Sequence, residues 1–200
     1  MKTTVRFSLL TFALLTLGLP LPGLGEAKVT LIANEELPQI AFAVQELQTA
    51  LEARSHTVDQ APLSAASKQG GGPRIVLGTR DDAALTDALR SRGVTAAPSL
   101  KPEGFSLRVQ DGTVWVIGAD VAGTMYGGLE VAEIIRCSGL DAVKADDQNP
   151  YMPLRGIKFN CPLDERTPTY SSHDGDSQQK NVLVMWDLDF WKAYVDDLAR

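Results

Sequence analysis

Residues 151–166 read YMPLRGIKFNCPLDER, and the reading of this stretch divides the chain. Pro150 and Pro153 have no backbone donor and push their predecessors toward extended geometry, so they end whatever precedes them. Residues 155–159 then read as a short strand that Cys161-Pro162 stops. Everything upstream of the stretch patterns as a small α/β domain. Everything downstream patterns as the first strand, loop and helix of a second unit whose remainder is expected beyond Arg200.

At the other end, Lys2 and Arg6 precede an apolar run over residues 7–19, and Gly25-Glu26-Ala27 supplies small residues before Lys28. This pattern predicts a secretory signal peptide at residues 1–27 and a secreted or periplasmic mature chain. The apolar run is too short for an ordinary membrane span, and no cysteine follows it to carry a lipid. The net charge is −6, with no basic cluster. An acidic chain of this kind argues against nucleic acid, and against a membrane surface once the leader is removed. Cys137 and Cys161 are the two cysteines, too few for a disulfide framework or a metal site. They read as buried thiols, with a bridge between them as the alternative in an exported chain.

Between leader and divide the periodicity changes repeatedly. Residues 29–33 (VTLIA) read as a first strand. Asn34 is placed to cap a helix in which Ile40, Val44, Leu47 and Leu51 form one face, while Gln39, Glu46, Gln48 and Glu52 form the other. A weak strand over 56–59, a loop ending in Gly70-Gly71-Gly72-Pro73, and a buried strand RIVL (74–77) stopped by Gly78 follow. Asp81 and Asp82 are expected in the first turn of a second helix, with Arg90 and Arg92 in its last turn and Gly93 ending it. Residues 105–110 and 113–118 alternate apolar and polar around Asp111-Gly112, the dipeptide of a two-residue type I′ hairpin. A third helix runs to about Arg136. Its Gly123, Gly127 and Gly128 weaken a helix unless another backbone or side chain comes very close. No phosphate-cradling motif fits these glycines, so they predict tight packing, and no cofactor is expected. The order of elements gives an α/β sandwich with a mixed sheet and packed helices.

The Gly-rich helix start DVAGTMYGGLEVAEIIR (120–136), followed by a Pro-rich link and PLRGIKF (153–159), resembles the front of certain glycoside hydrolases. The likeness is to the non-catalytic N-terminal domain of family 67 α-glucuronidases and family 20 β-hexosaminidases, and it covers most of residues 28–200. The resemblance implies an accessory domain over 28–145 and, over 146–200, a linker and the opening strand, loop and helix of a truncated (β/α)8 barrel. It implies a carbohydrate substrate. Asn160 and Leu163 stand where family 20 has an Asp and a second Arg, and the Trp-Asp of family 67 is absent after Asn160.

Glycoside hydrolysis generally needs two carboxyl groups, and a barrel gathers them from several strand ends. With one barrel strand present, the catalytic residues are expected beyond Arg200. What the chain itself can supply is substrate contact. Arg155 resembles the strand-one arginine that binds ring hydroxyls, its rival role being a structural salt bridge, and Asp164 and Arg166 follow where active-site loops begin. The loop with His173, Asp174 and Asp176 lacks the ligands of a calcium site, so no metal is expected. Residues 187–200 form an amphipathic helix with Phe190, Trp191 and Tyr194 that wants a partner surface. The alternative is a stand-alone, non-catalytic carbohydrate-binding or interaction module. A small independent hydrolase is disfavoured, since neither GxSxG nor HExxH occurs.

Overall fold

Asp111 and Gly112 take φ of 49° and 68° in the computed structural model, the two left-handed residues a type I′ turn demands. They join β4 (Phe105–Gln110) to β5 (Thr113–Gly118) in an antiparallel pair whose register runs Phe105 to Gly118 and Gln110 to Thr113. The structure describes residues 28–68, 70–156 and 187–199. Around the hairpin stand β1 (Lys28–Ala33), β2 (Thr57–Pro62), β3 (Arg74–Thr79) and β6 (Asp146–Gln148). The sheet order is β2-β1-β3-β5-β4-β6, parallel from β2 through β5 and antiparallel on both sides of β4. The fold is thus the mixed α/β sheet with packed helices that the sequence predicts.

Two cores flank this sheet. On one face α1 (Pro38–Glu52) and α3 (Val121–Ser138) set Ile40, Leu47, Leu51, Val131 and Ile135 against Leu31, Ile75, Leu77, Leu107 and Val116. On the other, α2 (Ala83–Arg92) and a 3-10 turn at Leu63–Ala65 cover Ile32, Val76, Trp115 and Ile117. β3 and β5 are therefore covered on both faces, which is why RIVL and VWVI are continuous apolar runs. Helix α4 (Leu188–Ala199) follows separately, with Leu188, Val195 and Leu198 more than half exposed. No helix among the described residues is long and apolar enough to cross a membrane.

Several local expectations are corrected. Asn34 does not cap α1; its Oδ1 accepts from the Glu36 amide at 3.2 Å, closing a turn ahead of Leu37, which holds the cap position with no side-chain bond. Glu46 is not on the wet face of α1. It is 8% exposed and ion-paired with Arg136, because α3 lies directly across α1 and brings its last turn there. Gly78 does not stop β3, which pairs through Thr79 with Gly118; the missing side chain leaves room for Leu63 and Leu85. Asp82 precedes α2, its Oδ2 accepting from the Thr79 amide and hydroxyl at 2.7 and 3.0 Å. Gly93 does end α2, at φ 66°.

Cys137 is exposed rather than buried, and its thiol lies 3.4 Å from a Glu133 oxygen. That hydrogen bond, with the carboxylate charge, pushes the thiol pKa up, so the sulfur is a poor nucleophile. Cys161, the leader at 1–27, residues 157–159 of the expected strand and the histidine-bearing loop lie outside the described residues. Arg155 and Gly156, the expected start of that strand, have no regular secondary structure.

β6 is short, and side chains fasten it. Asp147 accepts from the buried Ser106 hydroxyl at 2.6 Å and pairs with Arg108 at 2.8 Å. The Arg108 hydrogen bond, reinforced by Ser106 and opposed by burial, holds the Asp147 carboxyl below the usual carboxylate range. A depressed folded-state value gives stability that is complete above the unfolded pKa of about 3.9 and is lost as the pH falls through the folded one. Asp147→Asn should therefore lower the urea midpoint at pH 6 and flatten its decline as the pH falls below about 4. Parallel declines in the two proteins would show that Asp147 contributes nothing to acid sensitivity.

Candidate functional site

Asp120 is the hub of the place where Arg155, the one expected substrate contact among the described residues, meets the folded domain. Its Oδ1 accepts from the Gly123 amide at 2.8 Å, capping α3, and its Oδ2 accepts from the Glu103 amide at 2.8 Å. The loop before β4 is thereby pinned to the start of α3. The Gly104 amide donates back to Lys101 O at 2.9 Å, and Gly104 O accepts from Ala119 at 2.8 Å. Asn149 holds the loop's other flank, its Oδ1 accepting from the Lys101 amide at 2.7 Å.

Glu103 sits in this frame at φ 65°, a left-handed conformation uncommon for a residue with a Cβ. Its carboxylate accepts from Arg155 Nη2 at 2.5 Å, while Arg155 Nη1 donates to Met152 O at 3.0 Å. The guanidinium carbon lies 5.8 Å from the centre of the Tyr126 ring, one turn into α3. The Glu103 hydrogen bond is the first cause of a raised Arg155 pKa, so the guanidinium stays charged.

Glu103, Tyr126, Leu154, Arg155 and Leu198 line an open cavity of about 490 Å³. A second cavity of about 330 Å³ shares Glu103, Tyr126 and Arg155 and adds Phe105, Glu130 and Gln148. A charged fork, a carboxylate and an aromatic ring at the mouth of such a cleft can bind and orient a polar, ring-shaped ligand. Hydrolysis needs more, because Glu103 is already tied to a guanidinium. Among the described residues no three His, Cys, Asp or Glu side chains converge as metal ligands.

Of the three expected substrate contacts, the structure places Arg155 at this cleft; Asp164 and Arg166 lie outside the described residues. Glu103, Tyr126 and Asp120 were missed. Glu103 stands 52 residues from its partner in a Pro-Glu-Gly turn, and nothing local marks it. Asp120 had a readable signal, an Asp three residues before Gly123 at the head of an apolar helix.

Residues 25–130 match the family described as the glycosyl hydrolase family 67 N-terminus. Among solved structures, a GH138 enzyme targeting pectin rhamnogalacturonan II aligns at 21% identity over 64% of this chain and 16% of its own, with a TM-score of 0.45. A family GH115 4-O-methyl-α-glucuronidase with specificity for decorated arabinogalactans aligns at 25% identity over 54% of this chain and 13% of its own, with a TM-score of 0.42. The shared region is thus less than a fifth of either of those chains. No curated protein matches.

Proposed function

Because the chain belongs to the glycosyl hydrolase family 67 N-terminus family, we propose that its α/β domain is the accessory domain of an exported glycosidase acting on a polysaccharide or glycan. The family match, which falls on the folded sheet and helices, carries this reading. Of the two substrate classes implied by the resemblance in residues 120–159, it favours α-glucuronides over N-acetylhexosaminides. In this proposal residues from Arg155 onward open a catalytic barrel, and the acid and its partner come from later strands.

Arg155, Asp164 and Arg166 enter the same proposal as substrate contacts. The exposed position of Arg155 at the cleft mouth supports its part. The test uses aryl glycosides, glucuronides and N-acetylhexosaminides among them, with thermal melts on the same samples. The 200-residue chain should hydrolyse none, and a protein continuing through further βα units should turn over the glucuronide. In that longer enzyme Arg155→Ala should lower kcat/KM roughly ten- to a hundred-fold, the loss of about 1.5–3 kcal/mol of charged hydrogen bonding, and more than Arg166→Ala does. A fall in Tm with kcat/KM intact would assign Arg155 to its ion pair with Glu103 alone. Robust turnover by the 200-residue chain would overturn the accessory-domain reading.

A further inference from the structure

The two cavities beside Arg155 adjoin, since Glu103, Tyr126 and Arg155 line both. At about 490 and 330 Å³ they fall within the size range of small-ligand sites, roughly 300–1,000 Å³. Their charged lining is unequal. Among the described lining residues Arg155 is the one cation, against the two carboxylates of Glu103 and Glu130. Lys101 opens on a separate cavity beside Pro150 and Tyr151. Glu103 and Arg155 neutralise each other at 2.5 Å, so the charge of Glu130 is left over.

The ion pair is held in place yet open. Asp120 fixes the Glu103 amide at 2.8 Å. A glutamate at φ 65° costs energy and persists only where its surroundings over-determine it. Met152 O accepts from Arg155 Nη1 at 3.0 Å, and the Tyr126 ring lies 5.8 Å from the guanidinium carbon. More than a third of each side chain still faces solvent, 38% for Arg155 and 36% for Glu103. A guanidinium has donors beyond those engaged on Glu103 and Met152, and a carboxylate has further acceptor lone pairs.

Hydroxyl groups suit this set, because each can accept from Arg155 and donate to Glu103 or Glu130. A ligand carboxylate cannot donate, and it would meet two like charges for one opposite charge. We propose that Glu103 and Glu130 make the cleft selective for an uncharged saccharide unit and against a uronate. The proposal rests on the reading of Arg155 as a substrate contact and sharpens it. In a glucuronide-bearing glycan this cleft takes a neutral ring, and the carboxylate is recognised elsewhere. Both glutamates belong to the α/β domain, which gives that domain a part in specificity.

The experiment titrates the ¹⁵N-labelled 200-residue chain with methyl α-D-glucopyranoside and with methyl α-D-glucopyranosiduronate, at about pH 7, where the uronate is ionised. Sodium chloride matches the ionic strength. The two probes differ only at C6, a hydroxymethyl group in one and a carboxylate in the other. The backbone amides of Glu103, Tyr126 and Gln148 should shift saturably with the glucoside. The glucuronide should bind about five-fold more weakly, the effect of one surplus charge about 4 Å away in water. Glu130→Gln should bring the two affinities together, and Glu103→Gln, which leaves Arg155 without its carboxylate, should reverse their order. Arg155→Ala should weaken both probes. Equal or tighter glucuronide binding by the parent chain would overturn the selection, as would a difference that survives both glutamine variants. No saturable shift with either probe would overturn the site. Glucoside binding that Arg155→Ala leaves unchanged would instead overturn the Arg155 contact alone, because the selection is read from the two glutamine variants.

Discussion

Gly123→Ala is expected to destabilise the domain by about 3 kcal/mol, although an alanine in an exposed helix would stabilise it by up to about 1 kcal/mol. A Cβ at this position would lie 2.2 Å from Gly104 O. That oxygen belongs to backbone and already accepts from Ala119 at 2.8 Å, so it cannot swing away as a side-chain tip would. Either α3 lifts from the loop or the Ala119 bond breaks, and each route exceeds the helix-propensity gain. Gly127 meets Val116 Cγ1 at 2.6 Å, a side-chain atom that can shift, so its loss should be smaller; Gly128 meets Ala43 Cβ at 2.8 Å, which moves only with the α1 backbone, so its loss should lie nearer that of Gly123. Urea denaturation of the three alanine variants gives the order directly. A Gly123→Ala protein as stable as its parent would show that the helix seat is not rigid.

Asp120→Ala should cost about as much, for a different reason. One carboxylate satisfies two backbone amides, Gly123 and Glu103. Loss of the helix cap is worth about 1 kcal/mol, and loss of the second charge-assisted bond about 1.5–3 kcal/mol. Asp120→Asn separates the two, since an amide keeps one acceptor oxygen and must abandon one of the two amides. Its loss in urea should therefore fall between those of the parent and Asp120→Ala. The alanine variant should also free Glu103 and loosen Arg155, giving faster proteolysis within residues 150–156. Unchanged cleavage there, with stability reduced, would confine Asp120 to capping α3.

The sequence speaks clearly where one residue type has one physical use. Asp111-Gly112 names its turn, and the 3.6-residue spacing of Ile40, Val44, Leu47 and Leu51 names the buried face of α1. The glycines of α3 announce a close approach, though not its target. Elsewhere the deciding partner is distant in the chain. Glu46 looks solvated until α3 delivers Arg136, 90 residues later. Gly78 looks like a stop until Leu63 and Leu85 are seen beside it. β6, three polar residues, has no strand pattern at all; its place comes from Ser106 and Arg108 gripping Asp147. At the candidate site Arg155 was visible because of its neighbours in the chain. Glu103 and Tyr126 were not, because their significance lies wholly in what packs against them.

The two rims of the sheet have a consequence for crowding among copies of the domain. A long, flat, apolar outer strand is a template on which another chain can extend the ladder, the first step of aggregation. Neither rim offers one. β2, TVDQAP, is mostly exposed, carries Asp59 in an ion pair with Lys28, and ends in a proline that cannot donate. β6 is only three residues long, and its Asp146 and Asp147 would face the same charges on an incoming copy. Concentrated solutions of the domain are thereby protected against edge-to-edge polymerisation by the shortness and polarity of the very strands that sequence patterning finds hardest to see.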